Sequence, residues 1–306
     1  MTDQPMNFFR TETVDESQKL TEEVAMFAYL DHSLEQARYA EEKDRYKDRP
    51  KSLGAGRVGH PHAKLPWDRG CERALWFEMK QYKSDRPFPA KLYRIFEMGH
   101  AAEKIIAENL RLAGFTLITE DPQGQQYGFA IGRDPETGHA RYKGFCDGVV
   151  IAGPEEIAMA NGDKVKLRYP FLWENKGVSS KKFKRFSADG VEKSHPQYYA
   201  QVLQYQNFLQ LYPNPALLTM LCRDSGDLRV QFIRFNQKHT QAIIDRAARI
   251  IEAKGPLVLE RAADDYEKLP CKWCDFASHC KAAEANRASA SSPEFQGAPS
   301  WLGPPK

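Results

Sequence analysis

What most constrains this chain is where its carboxylates fall. Between residues 91 and 113, Leu92, Phe96, Gly99, Glu103, Ile106, Leu110 and Ala113 recur at steps of three and four, the spacing of one helical face. A glutamate therefore stands in the middle of an apolar stripe. Downstream, Asp147 interrupts an apolar extended stretch over 141–152 that holds Phe145, Val149, Val150 and Ile151, and Glu174 ends a strand read over 165–174, two residues before Lys176. A buried ionised carboxylate without a partner costs several kcal/mol. Asp147 or Glu174, taken alone, reads more readily as a solvated edge or turn residue, whereas Glu103 on its core-facing stripe needs a cation or a proton. Taken together they call for a fold in which helix and sheet bring them to a shared cation. Pairing of successive strands brings opposed side chains to within about 5 Å, and period two places Glu174 and Lys176 on the same face.

The remaining elements frame that set. A helix or helix pair is expected over 14–48, with Leu20, Val24, Phe27, Leu30 and Leu34 as its stripe, ended by Pro50. Residues 51–66 read as a loop rich in Gly, Pro and His, and Asp68 as the cap of a short helix over 71–80 with Cys71 in its first turn. Strands are expected over 115–119 and 127–131, and a turn at Asn161-Gly162-Asp163. A helix over 196–211 carries Tyr198, Gln201, Val202, Tyr205, Phe208 and Leu209 on one side; strands over 216–223 and 228–235 and a helix over 238–263 follow. The sequence beyond about 282 is small, polar and Pro-rich and reads as a disordered tail. The order helix, three strands, helix, strand is that of an α/β fold with a mixed sheet flanked by helices. The expected organisation is a helical extension over 1–50, one domain over 51–282 and a tail over 283–306.

Composition excludes less than it first suggests. With 44 basic and 41 acidic side chains the net charge is +3, so the chain is not a globally basic nucleic-acid binder and any such site must come from local charge. One local run exists: Lys176, Lys181, Lys182, Lys184 and Arg185, with Phe183 and Phe186 interleaved. Read as a basic loop beside an acidic site, it would receive a phosphate backbone, and its aromatics would stack on unpaired bases. Residues 1–9 lack a basic segment leading into an apolar run, and no stretch approaches the ~20 apolar residues of a membrane span. A cytoplasmic protein without membrane contact is expected.

Three carboxylates and a lysine meeting at one point are what a phosphodiesterase dependent on Mg2+ or Mn2+ needs. Hard oxygen ligands hold the cation, and the lysine orients water or neutralises charge developing on phosphate. Cys271, Cys274 and Cys280 form a second cluster, C-x2-C-x5-C, which lacks one tetrahedral ligand. Cys71, Cys146, Cys222 and His279 are the candidates. Cys146 and Cys222 fall in apolar strands, where a free thiol is usually a small buried hydrophobe, so Cys71 fits better.

The ordered set Gly99-x-x-x-Glu103, Asp147, Glu174-Asn175-Lys176 and Gln201-x-x-x-Tyr205 resembles the PD-(D/E)XK nuclease superfamily over about residues 66–282, and more narrowly its RecB-like and phage-exonuclease branch. That resemblance implies a restriction-endonuclease-like αβββαβ core and metal-dependent hydrolysis of DNA. It implies Glu103, Asp147 and Glu174 as metal ligands or their supports, Lys176 as the catalytic lysine, and Gln201 with Tyr205 as the motif of the following helix. Two positions depart from the branch: Glu103 stands where many members carry histidine, and Cys146 precedes Asp147 in place of proline. His100, directly after Gly99, projects about 60° from Glu103 on a helical wheel and reads as a supporting or structural residue.

The segment Gly70-Cys71-Glu72-Arg73-Ala74-Leu75-Trp76 resembles the lone upstream cysteine of the superfamily's iron–sulfur nucleases, among them AddB-type helicase-nucleases and CRISPR-associated adaptation exonucleases. This implies a [4Fe-4S] cluster on Cys71, Cys271, Cys274 and Cys280 that clamps the start of the domain to its end. By ligand spacing alone Zn2+ suits the site equally. The resemblance further implies DNA, single-stranded or with free ends, as substrate, in phage or bacterial recombination or repair. A recombination or helicase partner protein and an oligomer are within what it allows. The alternative reading is a non-catalytic DNA-end-binding or scaffold subunit with the same fold and a structural Fe–S or zinc site.

Overall fold

The computed structural model describes residues 22–47, 52–86, 88–135, 137–158 and 164–286. Their contacts divide into two units: helix α1 (Glu22–Lys47) with residues 88–93, and the remainder. In the first unit Val24, Phe27 and Leu30 are exposed, so the stripe expected on this helix is not a core face there. Glu35 Oε1 accepts the Ala90 backbone N–H at 2.7 Å. Residues 14–21 and 48 of the expected helix lie outside the described residues.

In the second unit the chain runs through β1 (Leu53–Gly54), α2 (Ala55–Val58), α3 (Pro66–Arg69) and α4 (Glu72–Met79) to the long helix α5 (Ala90–Leu112), whose first residues belong to the first unit. Then come β2 (Thr116–Ile118), β3 (Gly128–Arg133), β4 (Ala140–Phe145), β5 (Gly148–Ala152), β6 (Glu156–Ala158), β7 (Lys164–Lys166) and β8 (Phe171–Val178). The helices α6 (Ser180–Ser194) and α7 (Pro196–Phe208) follow, then β9 (Ala216–Cys222), β10 (Leu228–Ile233), α8 (Gln237–Glu252) and α9 (Ala277–Ala285).

The central sheet has the order β10-β9-β8-β5-β2. Strands β8 and β9 are parallel, joined by the crossover α6–α7, and the other neighbours are antiparallel. Strand β8 is covered on both faces, which its apolar start, Phe171-Leu172-Trp173, foretells. Phe171 and Trp173 pack in one core with Ile106 and Ala107 of α5, while Leu172 packs in a larger core with Val202 and Leu203 of α7 and Ile243 of α8. The sheet thus lies between α5 and the α7–α8 layer, in the mixed α/β class expected. A second sheet, β1-β4-β3, stands apart from it.

Local details differ from the sequence reading for identifiable reasons. The stretch 141–152 is two strands in two sheets: β4 pairs with β3 and β1, β5 pairs with β8 and β2, and Cys146-Asp147 is the break between them. Alternation of apolar residues does not register such a change of partner. The strand expected over 165–174 is the short β7 and then β8, separated by Pro170, which has no N–H for a ladder; β8 continues past Glu174 to Val178. Of the basic run expected as a loop, Lys176 lies in β8 and Lys181, Lys182, Lys184 and Arg185 are helical, in α6. The helix expected over 238–263 ends at Glu252, short of Gly255-Pro256. Cys71 is the N-cap of α4 rather than a first-turn residue, and Asp68 belongs to α3. On α5, Ala102, Ile106 and Ala107 are buried, whereas Phe96 of the expected stripe is exposed and Ala113, also exposed, lies just past the helix end. The turn at 161–163 and the tail at 287–306 lie outside the described residues, and α9 runs past the boundary set at 282. Among the described residues no helix is long and apolar enough to cross a membrane.

The segment 51–66 is more ordered than its composition implies. Gly59 has φ of +67°, and a Cβ there would lie 2.6 Å from the Asp68 carbonyl oxygen, so the two arms of the segment close only on glycine. Arg246 of α8, 2% exposed, holds the segment from inside. Its guanidinium donates to the carbonyls of Val58 (2.5 Å), Arg69 and Gly70 (2.9 Å) and to Glu72 Oε1 (3.2 Å). Removing a buried cation strands the carboxylate and carbonyls it served. Arg246→Ala is expected to lower stability by about 3 kcal/mol, read as a fall in the urea or thermal midpoint.

Candidate active site

Strand β8 carries Glu174 and Lys176 on one face by simple alternation. The register of β5 on β8, Gly148 opposite Trp173, puts Asp147 just beyond the end of β5 and across from Glu174. Asp147 is held there, its Oδ2 accepting the Asn175 backbone N–H at 2.6 Å. Lys176 Nζ donates to Glu174 Oε1 at 2.5 Å. Helix α5 comes close to β8 because the contact is built of small residues: a Cβ on Gly177 would lie 2.7 Å from that of Ala102 and 3.5 Å from Gly99 Cα. Glu103 follows Ala102 and is half-buried within electrostatic reach of Asp147 and Lys176.

The charges do not balance. Burial, then the Asp147 charge, pushes the Glu103 carboxyl up to about 7 against the pull of Lys176 and Lys104. Burial raises Asp147 as well, opposed by Lys176, the Asn175 N–H and His100. Glu174, 1% exposed, is raised by burial and by Asp147. Burial alone would lower Lys176, but the Glu174 and Asp147 carboxylates outweigh it, so the ammonium is held charged. One part-buried cation, Lys176, thus faces three carboxylates, and Glu174 Oε2 is buried with no hydrogen-bond partner.

Among the described residues no three His, Cys, Asp or Glu side chains are already gathered around one ion position. The donors nonetheless fit a hard divalent cation: carboxylate oxygens only, one of them orphaned, in a place short of positive charge. A cation there competes with the proton of Glu103. Mn2+ is therefore expected to raise the thermal midpoint more at pH 8, above the Glu103 value of about 7, than at pH 6, where that carboxyl is protonated. Equal stabilisation at both pH values would remove Glu103 from the ligand set.

Helix α7 supplies the facing wall. Gln201 Nε2 donates to the Tyr205 hydroxyl at 2.9 Å, and Tyr205, 2% exposed, has its hydroxyl pKa raised well above the usual phenol value by burial and then by Glu174. Tyr198 was legible in the sequence only as a member of the same face. Lys176 Nζ lies 5.4 Å and Lys182 Nζ 5.9 Å from its ring centroid, its hydroxyl accepts from Lys182 at 3.4 Å, and His195 stacks on it at 5.3 Å. The spacing Tyr198, Gln201, Tyr205 was the available signal, and it cannot be told from packing without the lysines' positions.

Lys181, Lys182, Lys184 and Arg185 are exposed on α6, and Arg185 also donates to the Ser194 carbonyl at 3.0 Å. The interleaved aromatics do not join them. Phe186 is buried at 4% exposure and Phe183 packs against the core, because a separation of three residues on a helix takes both to the inner face. Stacking of these two rings on bases is thereby excluded in this conformation.

The cysteines separate cleanly. Cys71 at the start of α4, Cys271 and Cys274 in and after a 3-10 turn (Cys271–Trp273), and Cys280 in α9 line one cavity with Arg73, Phe77, Arg261 and Tyr266. None is in a disulfide. Cys146 and Cys222 are buried elsewhere, and His279 shares a hydrogen bond with the Lys83 carbonyl at 2.8 Å. Burial raises the thiols of Cys271 and Cys274, the latter to about 11, so these sulfurs become good ligands only where a cation takes the place of the proton. Four sulfur donors lining one cavity suit either Zn2+ or an iron–sulfur group.

No family model and no curated protein matches this chain. Solved structures similar to it include an alkaline exonuclease from Laribacter hongkongensis, 12% identical, covering 68% of this chain and 90% of that chain at a TM-score of 0.41. The same exonuclease in complex with dAMP matches with the same figures. SSO0001 is 15% identical and covers 82% of this chain and 95% of that chain at a TM-score of 0.38. Similarity at these values leaves the chemistry to be read from the residues themselves.

Proposed function

We propose that this chain is a metal-dependent deoxyribonuclease acting as an exonuclease on DNA that is single-stranded or has free ends, in recombination or repair. The observation that carries the reading is the imbalance at β8: three buried or half-buried carboxylates, one orphaned oxygen on Glu174, and a single lysine held charged beside them. Mg2+ or Mn2+ on Glu103, Asp147 and Glu174 would polarise a phosphoryl oxygen and acidify a bound water. The chain's own groups do the rest. Glu174 Oε1 and the Tyr198 ring fix the Lys176 ammonium, which orients the attacking water or neutralises charge developing on the phosphate. The Asn175 N–H keeps the Asp147 carboxylate aimed, and Gln201 and Tyr205 wall the site from α7. The exposed Lys181, Lys182, Lys184 and Arg185 attract the backbone of the strand. Cys71, Cys271, Cys274 and Cys280 are assigned a [4Fe-4S] cluster, with Zn2+ as the alternative. Its chemistry is structural: it closes a loop of some two hundred residues, and the entropy removed from the unfolded chain grows with loop length.

Lys176→Ala is expected to slow cleavage of labelled single- or double-stranded DNA in Mn2+ by on the order of 100- to 1,000-fold, the usual loss when one preorganised electrostatic group is removed. Equal products from wild type and variant, or none from either, would reject the enzymatic reading and leave a non-catalytic DNA-end-binding subunit. Lys182→Ala combined with Lys184→Ala is expected to weaken DNA binding and reduce the slope of log affinity against log salt by about 1.5, since each phosphate contact contributes about 0.7–0.9. An unchanged slope would remove α6 from the DNA path.

A further inference from the structure

The four cysteines have unequal surroundings. Cys71 Sγ and Cys271 Sγ face backbone carbonyls, of Glu260 and Ala263, each at 3.9 Å. Cys274 Sγ accepts one backbone N–H, from Phe276, at 3.4 Å. Cys280 Sγ instead receives two side-chain donors: the Tyr266 hydroxyl at 3.2 Å and Arg73 Nη1 at 3.6 Å. Both donors are held in place. Arg73, 9% exposed, is pinned by Glu284 Oε1 at 2.6 Å and by the Leu259 carbonyl at 2.9 Å. Tyr266 lies beneath Arg261, 4.5 Å from its ring centroid, and Lys281, at 5.0 Å. Nothing in the carboxylate site uses these residues, and the Glu284 carboxylate that holds Arg73 in its buried place fixes Nη1 toward the sulfur.

We propose that Arg73 and Tyr266 are positioning residues for the metal group of the four cysteines, and that by donating to Cys280 Sγ they make Cys280 the corner at which its negative charge is stabilised. This rests on the reading above that the cysteines hold a [4Fe-4S] cluster. Hydrogen bonds to a ligand sulfur stabilise the reduced, more negative state more than the oxidised one, so they raise the reduction potential. Tyr266→Phe removes one donor and keeps the ring; Arg73→Lys keeps the charge and shortens the reach.

The test uses the full chain, purified anaerobically and reconstituted with iron and sulfide. Its readouts are iron, sulfide and zinc content, the visible spectrum, and the midpoint potential from a dye-mediated titration. Tyr266→Phe is expected to keep wild-type iron and sulfide while its one-electron reduction equilibrium shifts about tenfold toward the oxidised form, about 59 mV lower. Arg73→Lys is expected to shift in the same direction. A wild-type potential in both Tyr266→Phe and Arg73→Lys would overturn the inference and leave the cluster reading intact. Wild-type protein that takes up no metal would overturn both. If it takes up zinc alone, the cluster reading falls and chelator-driven zinc loss decides the inference: several-fold faster loss from Tyr266→Phe upholds it, and equal rates overturn it.

Discussion

The part-buried Lys176 ammonium stands against Glu174, Asp147 and Glu103, and much of the surrounding architecture can be read as serving that arrangement. Burial by itself would strip the lysine of its proton and the carboxylates of their charge. Together they hold Lys176 charged yet leave the carboxylates under-compensated. A site so constituted fits the divalent cation that the proposed function places there, since carboxylate oxygens short of positive charge are what such an ion takes as ligands. The small residues at the α5–β8 contact follow from it, since a larger side chain at Gly177 would lift Glu103 away. So does the covered position of β8, which keeps water from screening the charges.

A second constraint acts at the edge of the domain. Residues 52–80 come early in the chain, but they pack against α8 and the segment that carries the last three cysteines. Arg246 ties them from the inside through three carbonyls and Glu72; Arg73 ties them from the other side, through Leu259, Glu284 and Cys280. Two buried arginines, each bonded to several acceptors, are an expensive way to join these segments if packing alone would do. They make sense where the joint also has to present four sulfurs to one cavity.

The overall class and the ordered list of charged residues were legible from periodicity alone, because a carboxylate in an apolar stripe is conspicuous whatever the fold. Less legible were the partners. Asp147 lies between two sheets, and the apolar residues on either side of it alternate as they would in a single strand. Lys181, Lys182, Lys184 and Arg185 read as a loop since their charge hides helical spacing; once Phe183 and Phe186 are seen on the inner face, the same sequence is an amphipathic helix. Tyr198 beside Lys176, and Tyr266 and Arg73 beside Cys280, are contacts between elements far apart in the chain, and no local pattern encodes them.

By itself, then, the sequence determined which residues carry charge or sulfur into apolar surroundings, the order of helices and strands that bears them, and the absence of a global charge bias. These are one-dimensional properties, set by composition and spacing. Tertiary structure decided which of those residues meet. It set Asp147 across from Glu174 through the register of β5 on β8, brought Glu103 close through small residues on both surfaces, and left one carboxylate oxygen without a partner. It also brought to one cavity the four cysteines that the sequence reading had set apart from the two in the core. The reason is common to all of these: burial energies depend on distances between elements, and those distances exist only once the chain has closed on itself.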